Sequence, residues 1–151
     1  MQRTTIGSVE ITALIDTEFA FPATRLFPEA DATEVNGYAD LMSTDGEVSM
    51  ICGASILRSG GRTVLVDTGN GLGGHLFSEL EAADVSPVDV DIVVFTHLHG
   101  DHTGWNIDRE TGAALFSNAR YWIPRADWDH YRAQGGDNWD AMLAPLEGLG
   151  V

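Results

Sequence analysis

Three histidines and one aspartate lie within six residues near the middle of the chain and could bind metal ions together. The four residues are His97, His99, Asp101 and His102. In extended backbone, residues i and i+2 point to the same side, so His97 and His99 can hold one ion jointly. Asp101 and His102 can then face a second ion. Imidazole and carboxylate are ligands expected for zinc, iron or manganese, and the motif has no thiolate of the kind that structural zinc sites use.

A short apolar segment, residues 91–95, precedes these candidate ligands. Its β-branched composition predicts a buried strand, and open α/β sheets bind ligands at the carboxyl ends of their strands. We expect Gly100 to let the chain turn through dihedrals that a side chain would penalise. The alternative is a solvated polar loop in which Asp101 or Thr103 caps a helix. The density of histidine and aspartate directly after a hydrophobic strand favours the metal site.

The motif resembles the signature of the metallo-β-lactamase superfamily, His-x-His-x-Asp-His. Residues 64–69 resemble the family's earlier strand ending in Asp-Thr-Gly, and residues 118–123 resemble the strand that follows the metal loop. The resemblance covers almost all of the chain and lies nearest the lactonase-like and organophosphate-hydrolase-like enzymes. It implies an α/β fold of the αββα sandwich type, in which two sheets pack face to face.

The resemblance also implies a role for each candidate residue. His97 and His99 would hold the first of two zinc ions, and Asp101 and His102 would hold the second, with iron and manganese as alternative metals. Asp101 would in addition act in catalysis, steering the nucleophile or carrying its proton. Asp67 would support the histidine loop through hydrogen bonds without binding metal. For Asp67 the alternative is a helix or turn cap.

A complete domain of this family carries further ligands later in its sequence, namely a histidine, a bridging aspartate and a last histidine. No residue after His102 matches them, since His130 lies too early and in a different context. We therefore expect residues 1–151 to form a single incomplete domain, the N-terminal half of the fold in a truncated chain. The apolar surface and strand edges that the second half would cover should then promote self-association.

Composition narrows the choice of partners and location. The formal charge is −15, with 23 acidic residues against eight arginines and no lysine. Such a surface repels phosphate backbones, which argues against nucleic acid and favours neutral or cationic small-molecule substrates. No apolar run predicts a membrane span or a secretory signal. Cys52, the only cysteine, lies in an apolar segment, and we expect a buried free thiol in the reducing cytoplasm.

The rest of the pattern predicts the elements that position the motif. Turn residues predict two hairpins, at 4–19 and 48–67, and helical spacing predicts a helix over 76–85. Strand, helix and strand then form a βαβ crossover that brings residues 64–67 beside 91–95. Further strand material is expected at 115–116 and 121–123, and helices at 124–134 and 137–146.

The function that the resemblance implies is a hydrolase in which two metal ions activate water for attack on a lactone, an ester or a related small molecule. An iron-dependent oxidoreductase of the same superfamily is one alternative, although His99 replaces the glutamate of the flavodiiron type. A catalytically silent fragment or binding module is the other. Trp105 and Asn106 directly follow the ligands and could either touch substrate or only pack. We expect negligible turnover from this chain alone.

Overall fold

Six strands form one mixed sheet whose spatial order follows the chain. The computed structural model describes residues 2–149 and gives the order β1-β2-β3-β4-β5-β6. The strands are β1 (Gln2–Ile6), β2 (Val9–Pro22), β3 (Glu47–Ser59), β4 (Arg62–Val66), β5 (Ile92–Val94) and β6 (Arg120–Trp122). The pairs β1–β2 and β3–β4 are antiparallel, whereas β4–β5 and β5–β6 are parallel. The predicted α/β class is confirmed.

Helices fill the connections between strands. They are α1 (Ala23–Leu26), α2 (Ala32–Asn36), α3 (Leu76–Ala82), α4 (Gly100–Thr103), α5 (Arg125–Gln134) and α6 (Ala144–Leu149), with 3₁₀ turns at Ala39–Leu41 and Pro87–Asp89 and a π-helix at Trp139–Leu143. The helix predicted over 137–146 is thus divided. Pro145 has no N–H to donate, so a regular α-helical hydrogen bond cannot form there. Within residues 2–149, no helix is long and apolar enough to cross a membrane.

The two predicted hairpins are confirmed, and their turns explain why. Gly60 and Gly61 connect β3 to β4 with φ values of +58° and +76°. Positive φ at both central residues matches the right-handed twist of the flanking strands, and glycine adopts it without steric cost. The register then pairs Ser59 with Arg62 and continues to Ser55 opposite Val66. The turn therefore fixes which β4 side chains enter the core.

The hydrophobic core lies on one face of this sheet. Ile56, Leu65 and Val93 occupy neighbouring positions on β3, β4 and β5, and each is at most 1% exposed. Leu76 and Leu80 of α3 belong to the same buried cluster. The helix of the βαβ unit thus packs on the sheet, and the parallel pairing of β4 with β5 places the residues after both strands at the same end.

The opposite face of β4, β5 and β6 is also apolar. Val64, Val66, Ile92 and Val94 alternate with the core residues and are only half-buried, and Trp122 is 58% exposed. Because successive side chains in a strand point to opposite faces, these residues share the face away from the core. Apolar residues on both faces are typical of parallel strands that are covered on both sides.

The described chain divides into two compact units. One contains the residues up to Thr17 and those from Cys52 onward, and the other is Glu18–Ile51. All the candidate ligands lie in the first unit. In the second, Asp31 caps α2, accepting hydrogen bonds from Thr33 N and Glu34 N at 2.8 and 2.9 Å. That residues 1–151 form one incomplete domain stays a prediction.

Residues 115–116 do not form the expected strand. Phe116 is fully buried in the core, yet the only pairing nearby in the described chain is an isolated bridge between Ile107 and Ala114. The intervening turn is held by Asp108, whose carboxylate accepts from the backbone N–H of Glu110. The apolar pair therefore packs into the core from a loop, which periodicity alone could not distinguish from a short strand.

Candidate metal centre

The loop after β5 is anchored by a buried leucine between its first two histidines. Leu98 lies between His97 and His99 and is completely buried. Its backbone N–H donates to the Asp127 carboxylate at 3.1 Å, and its carbonyl oxygen accepts from Asn138 Nδ2 at 3.3 Å. Since the central residue points into the core, the alternation of extended backbone turns the two histidines outward together.

The spacing of the first histidine pair suits a single ion. His97 Nε2 lies 3.1 Å from His99 Nδ1. Two nitrogen ligands at about 2.1 Å from a tetrahedral zinc ion are separated by about 3.4 Å. The two nitrogens therefore already have nearly the separation that shared coordination requires. The structure brings this predicted pair together, and its role as a ligand pair stays a prediction.

The second pair adjoins the first. Asp101 Oδ2 lies 3.5 Å from His102 Nε2, and the rings of His97 and His102 are 4.0 Å apart between centroids. On its other side, His102 Nδ1 donates to Asp67 Oδ2 at 2.9 Å. A proton fixed on Nδ1 leaves Nε2 with a free lone pair, which is the tautomer that binds metal.

Asp67 organises the start of the loop as well as His102. It is 6% exposed, and its carboxylate accepts from the backbone N–H and the hydroxyl of Thr96, both at 2.8 Å. Asp67 also has a φ of +62°, a region that aspartate tolerates better than most side chains. The carboxylate at the end of β4 thus contacts the loop after β5 directly, in the position that the resemblance implied.

Our expectation for Gly100 is wrong. Gly100 begins α4 without a positive φ, and a Cβ there would meet nothing closer than Asn138 Oδ1 at 3.7 Å. The turn is made by ordinary helical backbone, with His102 N donating to the His99 carbonyl oxygen at 3.0 Å. The capping alternative is not seen either, because the residue before α4 is His99 and no side chain caps it.

A glycine is required instead at Gly104. A Cβ on Gly104 would lie 2.2 Å from the carbonyl carbon of Asn70, closer than any real contact. Its N–H donates to the Gly69 carbonyl oxygen at 2.8 Å, and Thr68 N donates to the His102 carbonyl oxygen at 2.7 Å. The glycine-rich loop, residues 69–74, is thereby held against the backbone that follows the candidate ligands.

Asp16 is an important residue that the sequence analysis missed. It is completely buried, and its carboxylate accepts from Asn70 N, Leu76 N and Trp105 Nε1 at 2.7, 2.8 and 3.0 Å. A Cβ on Gly74 would lie 2.2 Å from Asp16 Oδ1. The available signal was a carboxylate within the long apolar run of β2, where a buried charge must be satisfied by hydrogen bonds.

The two residues after the ligand loop differ in exposure. Asn106 is completely buried, accepts from Thr68 Oγ1 at 2.9 Å and donates to the Met142 carbonyl oxygen at 3.3 Å. The hypothesis that Asn106 contacts substrate is therefore wrong, and the alternative that it only packs is correct. Trp105 packs edge-on against Phe77 but also lines a cavity of about 280 Å³.

Cys52 is not the fully buried thiol that we expected. It is half-buried, and its Sγ lies 3.5 Å from Asp101 Oδ2. Burial raises the pKa of the Cys52 thiol to about 11, and the hydrogen bond and negative charge of Asp101 contribute to the rise. The two residues are 49 positions apart, so their proximity comes from the pairing of strands and not from any local pattern.

The donor set fits metal ions in its chemistry and in the spacing of each pair. Three imidazoles and a carboxylate meet the preferences of zinc, and Asp67 supplies the supporting carboxylate. Among residues 2–149, however, no three histidine, cysteine, aspartate or glutamate side chains are arranged to hold an ion as they stand. Binding therefore requires a side chain to move or a further donor to join each pair.

Comparison with known proteins places this geometry in a family. The model of the metallo-beta-lactamase superfamily matches residues 51–143, which include Asp67 and all four candidate ligands. Metallo-beta-lactamase domain-containing protein 1 of Xenopus laevis is 36% identical over 101 residues, which are 66% of this chain and 36% of that protein.

Two solved structures share the fold. AidC, a dizinc quorum-quenching lactonase, superposes with a TM-score of 0.77 and 19% identity, covering 98% of this chain and 56% of that one. Hydrolase AbOPH of the beta lactamase superfamily gives 0.75 and 25%, covering 97% and 54%. The chain thus spans little more than half the length of these structures, and about a third of the curated relative. The chain belongs to the metallo-beta-lactamase superfamily and has its fold.

Proposed function

We propose that this chain provides part of the centre of a metal-dependent hydrolase that acts on a lactone, an ester or a related small molecule. The observation that carries the proposal is that the four candidate donors form two close pairs. His97 Nε2 lies 3.1 Å from His99 Nδ1, and Asp101 Oδ2 lies 3.5 Å from His102 Nε2. Zinc suits this donor set best, and iron and manganese are the alternatives. The likeness to a dizinc lactonase supports the same choice.

Each candidate residue has its own role in the proposed hydrolysis. A pair of such ions, when bound, lowers the pKa of water towards 7 and polarises the oxygen of the bond to be cleaved. His97 and His99 orient their nitrogens from one side of the loop. Asp67 holds His102 by its Nδ1, which leaves Nε2 free. Asp101, with a side chain 42% exposed, can accept a proton from the attacking water while it faces the second ion.

The charge of the chain bears on the substrate. A formal charge of −15 produces a negative potential that disfavours polyanions such as nucleic acids. Neutral lactones and esters are not repelled by it. We therefore propose small neutral or cationic molecules as substrates.

Replacing His97 by alanine should lower the amount of zinc that the chain binds in equilibrium dialysis, because it removes one of the two nitrogens of the first donor pair. Metal analysis after dialysis measures the loss. His130→Ala is the matched control, since His130 is an exposed histidine on α5, far along the chain from the motif. Equal metal retention by the two variants would contradict the site.

Hydrolysis is tested with the same two variants. Because residues 2–149 bring only pairs of donors together, we expect the zinc-loaded 151-residue chain to hydrolyse lactones and esters negligibly by itself. Fused to the later half of a solved relative, where the family resemblance implies further donors, it should gain hydrolysis that His97→Ala abolishes and His130→Ala does not. Activity that survives His97→Ala would contradict the proposed function.

Self-association through the apolar sheet face is proposed as well. The support is the 58% exposed Trp122 beside the half-buried Val94 and Ile92. We expect the chain to sediment as concentration-dependent oligomers, and Trp122→Glu to shift them towards monomers. Val88→Glu is the control, because Val88 is equally apolar and 54% exposed but lies in a 3₁₀ turn outside the sheet. A wild-type chain that stays monomeric at all concentrations would contradict the interface.

A further inference from the structure

We propose that Asp127 and Asn138 are positioning residues of the candidate metal centre, which hold the ligand loop (residues 97–103) in place without binding metal. The inference rests on the proposed function, because it assumes that this loop binds metal. Asp127 lies in the first turn of α5, and Asn138 directly precedes the π-helix. They lie 29 and 40 positions after Leu98, so the motif itself gives no sign of them.

The amide of Asn138 joins the two buried ends of the ligand loop. Leu98 and Thr103 are completely buried, and three of the four candidate ligands lie between them. Asn138 Nδ2 donates to the Leu98 carbonyl oxygen at 3.3 Å, and Asn138 Oδ1 accepts from Thr103 Oγ1 at 3.1 Å. The Thr103 hydroxyl also lies 3.2 Å from the His99 carbonyl oxygen, and the two acceptors share its one proton. Asn138 thus ties the backbone at the first donor pair to the end of α4, which carries the second.

Asp127 holds the other backbone polar group of Leu98. Its Oδ2 accepts from Leu98 N at 3.1 Å, so both polar groups of this buried residue are bonded to side chains of later elements. These bonds fix the orientation of the peptide groups on either side of Leu98. The alternation of extended backbone then directs His97 and His99 outward together, with Nε2 and Nδ1 3.1 Å apart. Without the two bonds nothing polar would hold this peptide in the orientation that pairs the histidines.

A pair of tryptophans fixes the two positioning residues relative to each other. Trp128 follows Asp127 and Trp139 follows Asn138, and their rings pack edge-on with centroids 4.7 Å apart. Trp139 belongs to the main core cluster, and Trp128 packs against it. Supporting residues that are locked by packing keep a site in its productive geometry, so α5 and the π-helix together give the ligand loop a rigid support.

Zinc titration of the whole chain tests the positioning role. We expect Asp127→Ala and Asn138→Ala each to weaken zinc binding by about 10-fold, the lower end of the usual cost for a supporting residue, because they act on the backbone between the ligands. Asp127→Asn keeps an oxygen that can accept from Leu98 N, so it should retain most of the affinity. Thr103→Val keeps the shape of the buried side chain and removes only the bridging hydroxyl, so it should also bind zinc more weakly. Isothermal titration, at a temperature where circular dichroism shows each variant folded, measures the affinity.

Three matched controls separate positioning from general stability. Asp129→Ala removes an exposed carboxylate from the same helix, α5. Asn118→Ala removes an amide that donates to the Val88 carbonyl oxygen at 2.8 Å, before β5 and β6 begin, whereas the ligand loop follows the C-terminal end of β5. Val90→Ala truncates a completely buried core residue before β5 and should lower the midpoint of thermal unfolding. All three variants should bind zinc as the wild type does.

The outcomes distinguish this inference from the function on which it rests. Weaker zinc binding in Asp127→Ala, Asn138→Ala and Thr103→Val, with recovery in Asp127→Asn, supports the positioning role. Wild-type affinity in these weakened variants would overturn it and leave the proposed metal centre intact. An equal loss of affinity in Val90→Ala would also overturn it, because zinc binding would then follow stability alone. Absence of zinc binding by the wild-type chain would overturn the proposed function, and the inference with it.

Discussion

Replacing Asp16 by alanine should lower the free energy of unfolding by about 3–5 kcal/mol, because it removes a buried carboxylate and leaves its three N–H donors without an acceptor. The donors are Asn70 N, Leu76 N and Trp105 Nε1. Asp16 itself is completely buried, so no water can replace it as their acceptor. For a chain of this size the midpoint of thermal unfolding should fall by about 10 °C. Circular dichroism during heating measures the shift.

Two variants control this result. Asp40→Ala removes an exposed carboxylate and should change stability by no more than about 0.5 kcal/mol. Asp16→Asn keeps the shape and one acceptor oxygen, but turns an amide towards some of the donors, so its loss should be intermediate. If Asp16→Ala unfolded at the same temperature as the wild type, the carboxylate would not be the anchor of the glycine-rich loop.

Replacing Asp67 by asparagine should weaken zinc binding by about 10–100-fold, the usual cost of losing a carboxylate that orients a metal-binding histidine. Asparagine accepts the left-handed backbone that Asp67 adopts at φ +62°, so the fold should persist. Its amide cannot accept simultaneously from Thr96 N, from Thr96 Oγ1 and from His102 Nδ1 as the carboxylate does. Isothermal titration with zinc measures the change in affinity.

Asp91 provides the matched control for that experiment. It precedes the same strand, β5, and its carboxylate accepts from Thr63 N at 2.7 Å. Asp91→Asn also removes a carboxylate that links two strands, but at the N-terminal end of β5, whereas the ligand loop follows its C-terminal end. It should therefore leave zinc affinity unchanged. Equal loss of affinity in both variants would show a general effect on the sheet and would contradict the specific role of Asp67.

The parts of the fold that could be predicted from the sequence depend on short-range patterns. The Gly60-Gly61 turn predicted the hairpin of β3 and β4, because a tight turn depends only on its own residues. The placement of Asp67 beside the ligand loop followed from parallel pairing, since the ends of β4 and β5 meet at one edge. The motif itself is local, and the structure brings His97 and His99 together as extended backbone requires.

The parts that could not be predicted depend on contacts between distant segments. Asp16 reaches Trp105 across 89 positions, and Cys52 reaches Asp101 across 49. Neither residue has an unusual neighbour in sequence, so only the assembled sheet reveals its partner. The prediction that Gly100 makes the turn was wrong for a different reason. Its position in the motif suggested a backbone requirement, whereas the steric requirement lies at Gly104, where another chain segment passes.

The contact between Gly104 and the glycine-rich loop limits how this region can vary. The peptide unit of Asn70 and Gly71 lies too close to Gly104 for a side chain on it, and Gly74 is equally closed by Asp16. A Cβ on Gly73 would meet nothing within 4 Å, but its φ of +84° favours glycine. The neighbouring Leu72 is 67% exposed. Side-chain replacements in this loop are therefore least restricted at Leu72, next to glycines that other segments and the backbone conformation hold fixed.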